Sequence, residues 1–284
     1  MWIPLSIVTA LGFAASNSHA KALARSSHVY TVTWAMMTLA LPWALIALAW
    51  RGTPEIEEGF LLAAMGSVAL NMVAVTLQVR ALSVAPLSVT VPFLGFTPLF
   101  MLVTSAVVLG EAPDLKGAAG IVLVAAGAYA IYLDRIKGGL LAPLKAIATE
   151  KGTRMMLLTA FIWSWAATLD KLAVLRSSPA YYTAFFSVAF GVLYLPFLVA
   201  GLRKQRLTPR AVPSFFILGA LSAAMILAQM AAIELTLASY VIAIKRAGAV
   251  VAVLLGGVFF KEEHLRARLA GAVLMTLGVV LILV

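Results

Sequence analysis

The chain contains the same half twice, and each half holds an odd number of apolar stretches. With a fixed shift of 151 positions Gln78 falls on Gln229, Ser88 on Ser239, Glu111 on Glu262, Gly120 on Gly271 and Gly127 on Gly278. Arg25-Ser26-Ser27 and Tyr30 reappear as Arg176-Ser177-Ser178 and Tyr181, and Lys21 is answered by Lys171. Five apolar stretches occur in each half. If each stretch crosses a bilayer, the second copy must insert upside down relative to the first. The duplication therefore predicts an inverted repeat, with a site near the bilayer midplane where the halves meet.

The chain is 63% apolar and 11% charged, with a mean hydropathy of +1.04, which a soluble domain does not show. A hydrocarbon core about 30 Å thick needs roughly 20 apolar residues per helix. The expected spans are 3–20, 29–50, 60–79, 87–109, 114–133, 155–173, 180–201, 212–233, 238–260 and 265–284. The fold class expected is all-α and integral to the membrane, with ten transmembrane helices forming two inverted five-helix repeats around a central cavity. Residues 1–133 form the first repeat, 134–154 a basic linker and 155–284 the second repeat. Leu141, Leu144, Ile147 and Ala148, flanked by Lys145 and Lys151, give the linker the spacing of a short interfacial helix. The connections are too short to hold a soluble catalytic or nucleotide-binding domain.

A net charge of +10 would suit nucleic acid, but the basic residues are spread over loops and form no single face, so no nucleic-acid partner is expected. Their distribution reads better as topology. Odd-numbered connections, counted with the adjoining span ends, carry 15 Lys/Arg against 4 on the even ones. The positive-inside rule then puts the odd connections in the cytoplasm and both termini outside, as for a protein of a bacterial inner membrane. Cysteine is absent, and His19, His28 and His264 have no paired spacing, so neither a metal site nor a cofactor is expected. Ser18-His19-Ala20 has the form of a signal-peptidase site, but the segment before it lacks a basic side chain and the first span has a repeat partner, so it is read as part of the protein.

Glu111 and Glu262 occupy matching turns before the last span of each half, each nine residues ahead of a glycine, Gly120 or Gly271. A carboxylate there can cap the following helix, and the glycines allow close helix packing. This turn and glycine spacing, in a duplicated five-span unit, resembles the drug/metabolite transporter superfamily in its EamA branch. The resemblance covers nearly the whole chain. It implies ten helices around a cavity, alternating access and a small organic substrate. Many relatives are drawn with cytoplasmic termini, and the charge count here departs from that.

Lys245 and Arg246 are the most informative polar residues. They lie ~10 Å inside the ninth span by helical rise, and ionised groups there are costly and tend to be functional. Lys245 shares a ridge with Gly248, Ala252 and Gly256, which should face protein. Such a pair suits an anion, with a guanidinium fork for carboxylate or phosphate and an ammonium point charge beside it. The segment Ile244-Lys245-Arg246-Ala247 is also similar to the ninth span of the phosphate-translocating branch of the superfamily, which implies contact with a substrate phosphate. The competing reading is a pair that snorkels outward, or that bonds helix carbonyls and Glu234 or Asp170. The first half has Leu94 and Gly95 at these positions, so the charge is asymmetric.

Ser67, Asn71, Ala74 and Gln78 form a polar stripe on the third span, echoed by Ser222 and Gln229 on the eighth. These groups can line a wet cavity or hydrogen-bond between helices. Ser6, Thr9, Phe13 and Asn17 share one face of the first span; Thr159, Trp163 and Asp170 share its counterpart, with Trp163 either lining a pocket or anchoring at an interface. Asp170, Glu234 and His19 are the candidates for gating or ion coupling, all near span ends, where the simplest role is a solvated boundary. The substrate residues expected are thus Lys245, Arg246, Gln78, Gln229, Asn71 and Trp163.

A secondary transporter of a small polar metabolite, anionic or zwitterionic, fits these residues best. A proton-driven exporter of hydrophobic cations would want a membrane-embedded carboxylate, which the first span lacks. A membrane enzyme would want a nucleophile–base pair, an acid–base pair or a metal cluster, and none is visible. The partners expected are the substrate and the lipid bilayer. One chain encloses a full pair of repeats, so a monomer suffices and a dimer stays open.

Overall fold

The computed structural model describes residues 1–85, 91–133, 149–205, 209–248 and 265–284. Glu262, Ala252, Gly256, Ser88 and the interfacial stretch 134–148 lie outside the described residues. Among the described residues every regular element is helical. In the first half these are α1 (Trp2–Leu23), α2 (Val29–Thr38), α3 (Leu41–Arg51), α4 (Phe60–Val84), α5 (Thr97–Leu109) and α6 (Leu115–Leu133), with a 3₁₀ turn at Val91–Phe96 before α5. In the second half they are α7 (Lys151–Leu175), α8 (Pro179–Leu193), α9 (Leu195–Lys204), α10 (Val212–Leu235), α11 (Ala238–Ala247) and α12 (Leu265–Leu283). Large apolar side chains cover the outside, among them Leu62, Val103, Val107, Leu158 and Phe216. Polar ones are buried, among them Ser6, Thr9, Asn17, Ser67 and Gln78. This inside-out pattern is what a hydrocarbon surround demands.

Ten spanning helices are expected from sequence; length and apolarity establish fewer. Four candidates pass among the described residues, namely α2 and α3 taken together, α4, α7 and α10, and the bent pair α8–α9 makes a fifth. Part of the shortfall has a physical cause. Proline cannot donate a helix hydrogen bond and clashes with the preceding turn, so Pro196 accompanies a 55° bend between α8 and α9. The first helix is long enough, but Ser6, Thr9, Ser16, Asn17, Ser18, His19 and Lys21 dilute its apolarity.

The duplication is legible in individual bonds. Lys21 Nζ donates to the Ala85 carbonyl at the end of α4, and Lys171 Nζ donates to the Thr236 carbonyl at the end of α10, both at 2.8 Å. Each lysine thus meets the negative end of the third long helix of its own half. The second helix of each half is capped at its start, by His28 Nδ1 accepting from Tyr30 N and by Ser178 Oγ accepting from Tyr181 N; the two donors are repeat partners, and the acceptors are offset by one position. Helix pairs match as well: α4 packs on α7 as α1 packs on α10, and α5 on α7 as α1 on α11.

The last helices of the two halves meet at their glycines. A Cβ on Gly120 would stand 2.6 Å from the Gly278 carbonyl, and one on Gly127 would stand 2.6 Å from the Gly271 carbonyl. As one position rises by seven the other falls by seven, so α6 and α12 run antiparallel. Gly278 is the repeat partner of Gly127, and Gly271 that of Gly120, so the contact exchanges the two copies as a two-fold axis would.

Glu111 does not cap the next helix. Asp114 does so, its Oδ1 accepting from Gly117 N at 2.9 Å. Glu111 forms an ion pair with Lys171 instead, tying the turn before α6 to α7 across the repeats. Asp114 stands directly before Leu115, where its short side chain reaches the first free N–H groups; Glu111 is one turn too early.

Replacing Gly127 by Leu should push α6 off α12. Overpacking of this kind costs about 1–3 kcal/mol, and a melting temperature in detergent lower by several degrees is expected, with Ser in its place causing a smaller drop.

Candidate functional site

A cavity of about 70 Å³ lies where α4, α7, α8, α10 and α11 converge, lined in part by Asn71, Thr97, Trp163, Asp170, Tyr182, Gln229, Lys245 and Arg246. A water needs roughly 10–15 Å³ on this measure, so the space suits a solute of a few heavy atoms.

Lys245 and Arg246 occupy the last turn of α11, 6% and 5% exposed. The end of α11 is held close to α1, because a Cβ on Gly248 would come within 2.7 Å of Ala10 Cβ. Lys245 Nζ donates to Gln229 Oε1 at 2.5 Å. Arg246 Nη2 donates to Thr97 Oγ1 at 3.4 Å, while its Nε and Nη1 are buried without a partner. The ring of Phe13 lies 4.7 Å from each cation, and that of Trp163 lies 5.8 Å from Lys245 and 5.0 Å from Arg246. Aromatic faces offset part of the cost of burying charge, but they leave the two N–H donors unsatisfied. Buried donors without acceptors are rare and costly.

Asp170 faces the same cavity and is 7% exposed. This differs from the solvated boundary suggested by its position late in the sixth span. Its helix continues to Leu175, so Asp170 lies inside the helix. Ser67 Oγ and Tyr182 OH both donate to its Oδ1, and Tyr182 OH also lies 3.0 Å from Ser67 Oγ. Asp170 makes no salt bridge with Lys245 or Arg246. Next along the chain, Lys171 turns away to Glu111.

Asn71 and Trp163 meet on the cavity wall, Trp163 Nε1 donating to Asn71 Oδ1 at 3.0 Å. Gln78, two turns further along α4, is not among the lining residues; its Nε2 donates to Asn17 Oδ1 at 2.5 Å, linking α4 to α1. Gln229, its repeat partner, lines the cavity. Glu234 is exposed, and His19 sits 2.9 Å from the Ser214 carbonyl. Thr97 and Tyr182 join the site without having stood out in the sequence. Nothing in the pattern separates Tyr182 from Tyr181, which packs on Phe60 with ring centres 5.5 Å apart. Repeat alignment offers no help, because Tyr182 corresponds to Thr31.

The family model of EamA-like transporters matches residues 1–133 and again 150–284. The chain belongs to the EamA-like transporter family, and it is an integral membrane protein of the drug/metabolite transporter superfamily. Family members are transporters, which fits a non-enzymatic role. Among curated proteins none matches the chain significantly. A solved structure titled "Crystal structure of protein" is 16% identical and shares the fold, with a TM-score of 0.70 over 98% of this chain and 93% of the other.

The Glu111–Lys171 pair yields a double-mutant test. Glu111→Gln or Lys171→Met alone should each destabilise the protein by about 2–3 kcal/mol, less than a fully enclosed pair because Glu111 is 22% exposed. The double variant should lose clearly less than the two single losses combined, as read by thermal unfolding in detergent.

Proposed function

We propose that this protein is a secondary transporter for a small polar metabolite, anionic or zwitterionic, with Lys245 and Arg246 binding its acid group. The observation that carries this reading is the pair of unpartnered Arg246 donors, buried beside the ammonium of Lys245 against a cavity. A carboxylate or phosphate oxygen would accept from Arg246 Nε or Nη1, which open on different edges of the guanidinium, with the Lys245 ammonium beside it as a point charge. Gln229 and Thr97 hold the two cations in place, and Asn71 and Trp163 shape the wall. Gln78 acts at one remove, through Asn17.

Transport follows from the paired halves. Ten spans in two inverted five-helix repeats are supported by the matched bonds and by the antiparallel glycine contact between α6 and α12. Alternating access would then be a rocking of one half against the other around the site. The excess of Lys/Arg on odd connections supports termini outside a bacterial inner membrane, and a single chain is enough to form the cavity. A second reading, export of cations in exchange for protons, gains one observation: Asp170 supplies a buried carboxylate. Two adjacent cations in the same cavity oppose it.

The test is a stability screen of purified protein against carboxylates, phosphate compounds, amino acids, sugars and organic cations. A ligand at 100 times its dissociation constant stabilises by about 2.7 kcal/mol. Acidic compounds are expected to raise the melting temperature of the wild type and to lose that effect in a Lys245→Ala/Arg246→Ala variant, and the same compounds should exchange across proteoliposomes. Stabilisation by cations alone, equal in both proteins, would sink the anion reading.

A further inference from the structure

Resting on Lys245 and Arg246 as the anion ligands, we propose that Asp170 is a specificity-determining residue that sets the cargo's charge at minus one and reads a hydroxyl beside its acid group. The cargo class is then a small hydroxycarboxylate monoanion, in preference to a phosphate ester or dicarboxylate.

Charge on the cavity wall leads to this. Among the described residues the lining holds one carboxylate, that of Asp170, and two basic side chains, Lys245 and Arg246. The adjacent Lys171 is neutralised by Glu111. With all three groups ionised, two cations against one carboxylate leave a single positive charge. A monoanion brings the enclosed site to neutrality. A dianion leaves an excess negative charge near the Asp170 carboxylate, and a zwitterion leaves the positive charge uncompensated. Uncompensated charge is costly where water is largely excluded, because screening is weak there.

Hydrogen bonding adds the second element. Both hydroxyl donors to Asp170 end on Oδ1, and among the described residues no other bond reaches the carboxylate. Its Oδ2 therefore keeps lone pairs for a donor on the cargo. On the other side, Arg246 Nε and Nη1 are donors without acceptors. One molecule with an acid group and a nearby hydroxyl would satisfy both, and the cavity volume fits an acid of a few carbons. The three groups sit on different elements: Asp170 on α7, Ser67 of α4 and Tyr182 of α8 orienting it, and the cations on α11.

The experiment compares isosteres that differ in one property, by calorimetry on the full-length protein at slightly alkaline pH. Malonamate and malonate have nearly the same shape and carry one and two negative charges. Lactate and propionate differ by a hydroxyl. The wild type is expected to bind malonamate at least about tenfold tighter than malonate, and lactate several-fold tighter than propionate, a tenfold ratio being about 1.4 kcal/mol. Asp170→Asn should reverse or abolish the first preference, and Asp170→Glu should retain it. Malonate binding the wild type as well as malonamate does would overturn the proposal without any variant. An Asp170→Asn protein that binds anions with an unchanged malonamate-to-malonate ratio would overturn it too. Failure of the underlying reading looks different: no carboxylate or phosphate binds the wild type, or the Lys245→Ala/Arg246→Ala variant binds them equally, and this proposal then falls with it.

Discussion

Lipid offers no hydrogen bonds, and that constraint orders the whole molecule. Each backbone must close its bonds within a helix, so the described elements are helices. Each polar side chain must find a partner inside the protein. Many serines and threonines do so by donating to a carbonyl three or four residues back, as Ser6, Thr9, Thr159 and Thr183 do. The larger polar groups reach further and also pair between helices. Gln78 meets Asn17, Trp163 meets Asn71, and Lys245 meets Gln229. The cavity lies where that convergence leaves groups over.

Repetition supplies the frame, and departures from it supply the chemistry. The elements that hold the molecule together occur in pairs: the lysines on helix-end carbonyls, the two caps, the exchanged glycine contacts. The elements that could act on a solute do not. Lys245 and Arg246 correspond to Leu94 and Gly95 in the other copy; Leu94 is fully buried, and a Cβ on Gly95 would meet Ala128 at 2.5 Å. One copy spent that position on packing and the other on charge.

Much of the frame was legible from residue order. The shift of 151 aligned Gly120 with Gly271 and Gly127 with Gly278, and the same four glycines meet crosswise, because helix packing is tight and only glycine lets backbones approach so closely. The cap before α6 was misread. Glu111 looked like the capping carboxylate because its copy lies in the matching turn, yet the shorter Asp114 stands next to the helix and leaves Glu111 to Lys171. The count of spans was also less firm than the apolar stretches suggested. A bend at a proline divides one of them between α8 and α9, and polar residues dilute the first.

Sequence alone determined that this chain is a duplicated, helical membrane protein with cationic side chains near its middle. Those conclusions depend on composition and periodicity, which survive without knowing any neighbour. Only the tertiary structure decided what those charges face. Asp170 is 75 residues from Lys245 and reads as a helix-end residue, but the packing of α7 between α4, α5 and α10 carries it into the same cavity. Tyr182 and Thr97 join it for the same reason. Contacts between distant helices are set by which faces pack together, and a one-dimensional pattern of apolar residues gives the face of each helix without giving its partner.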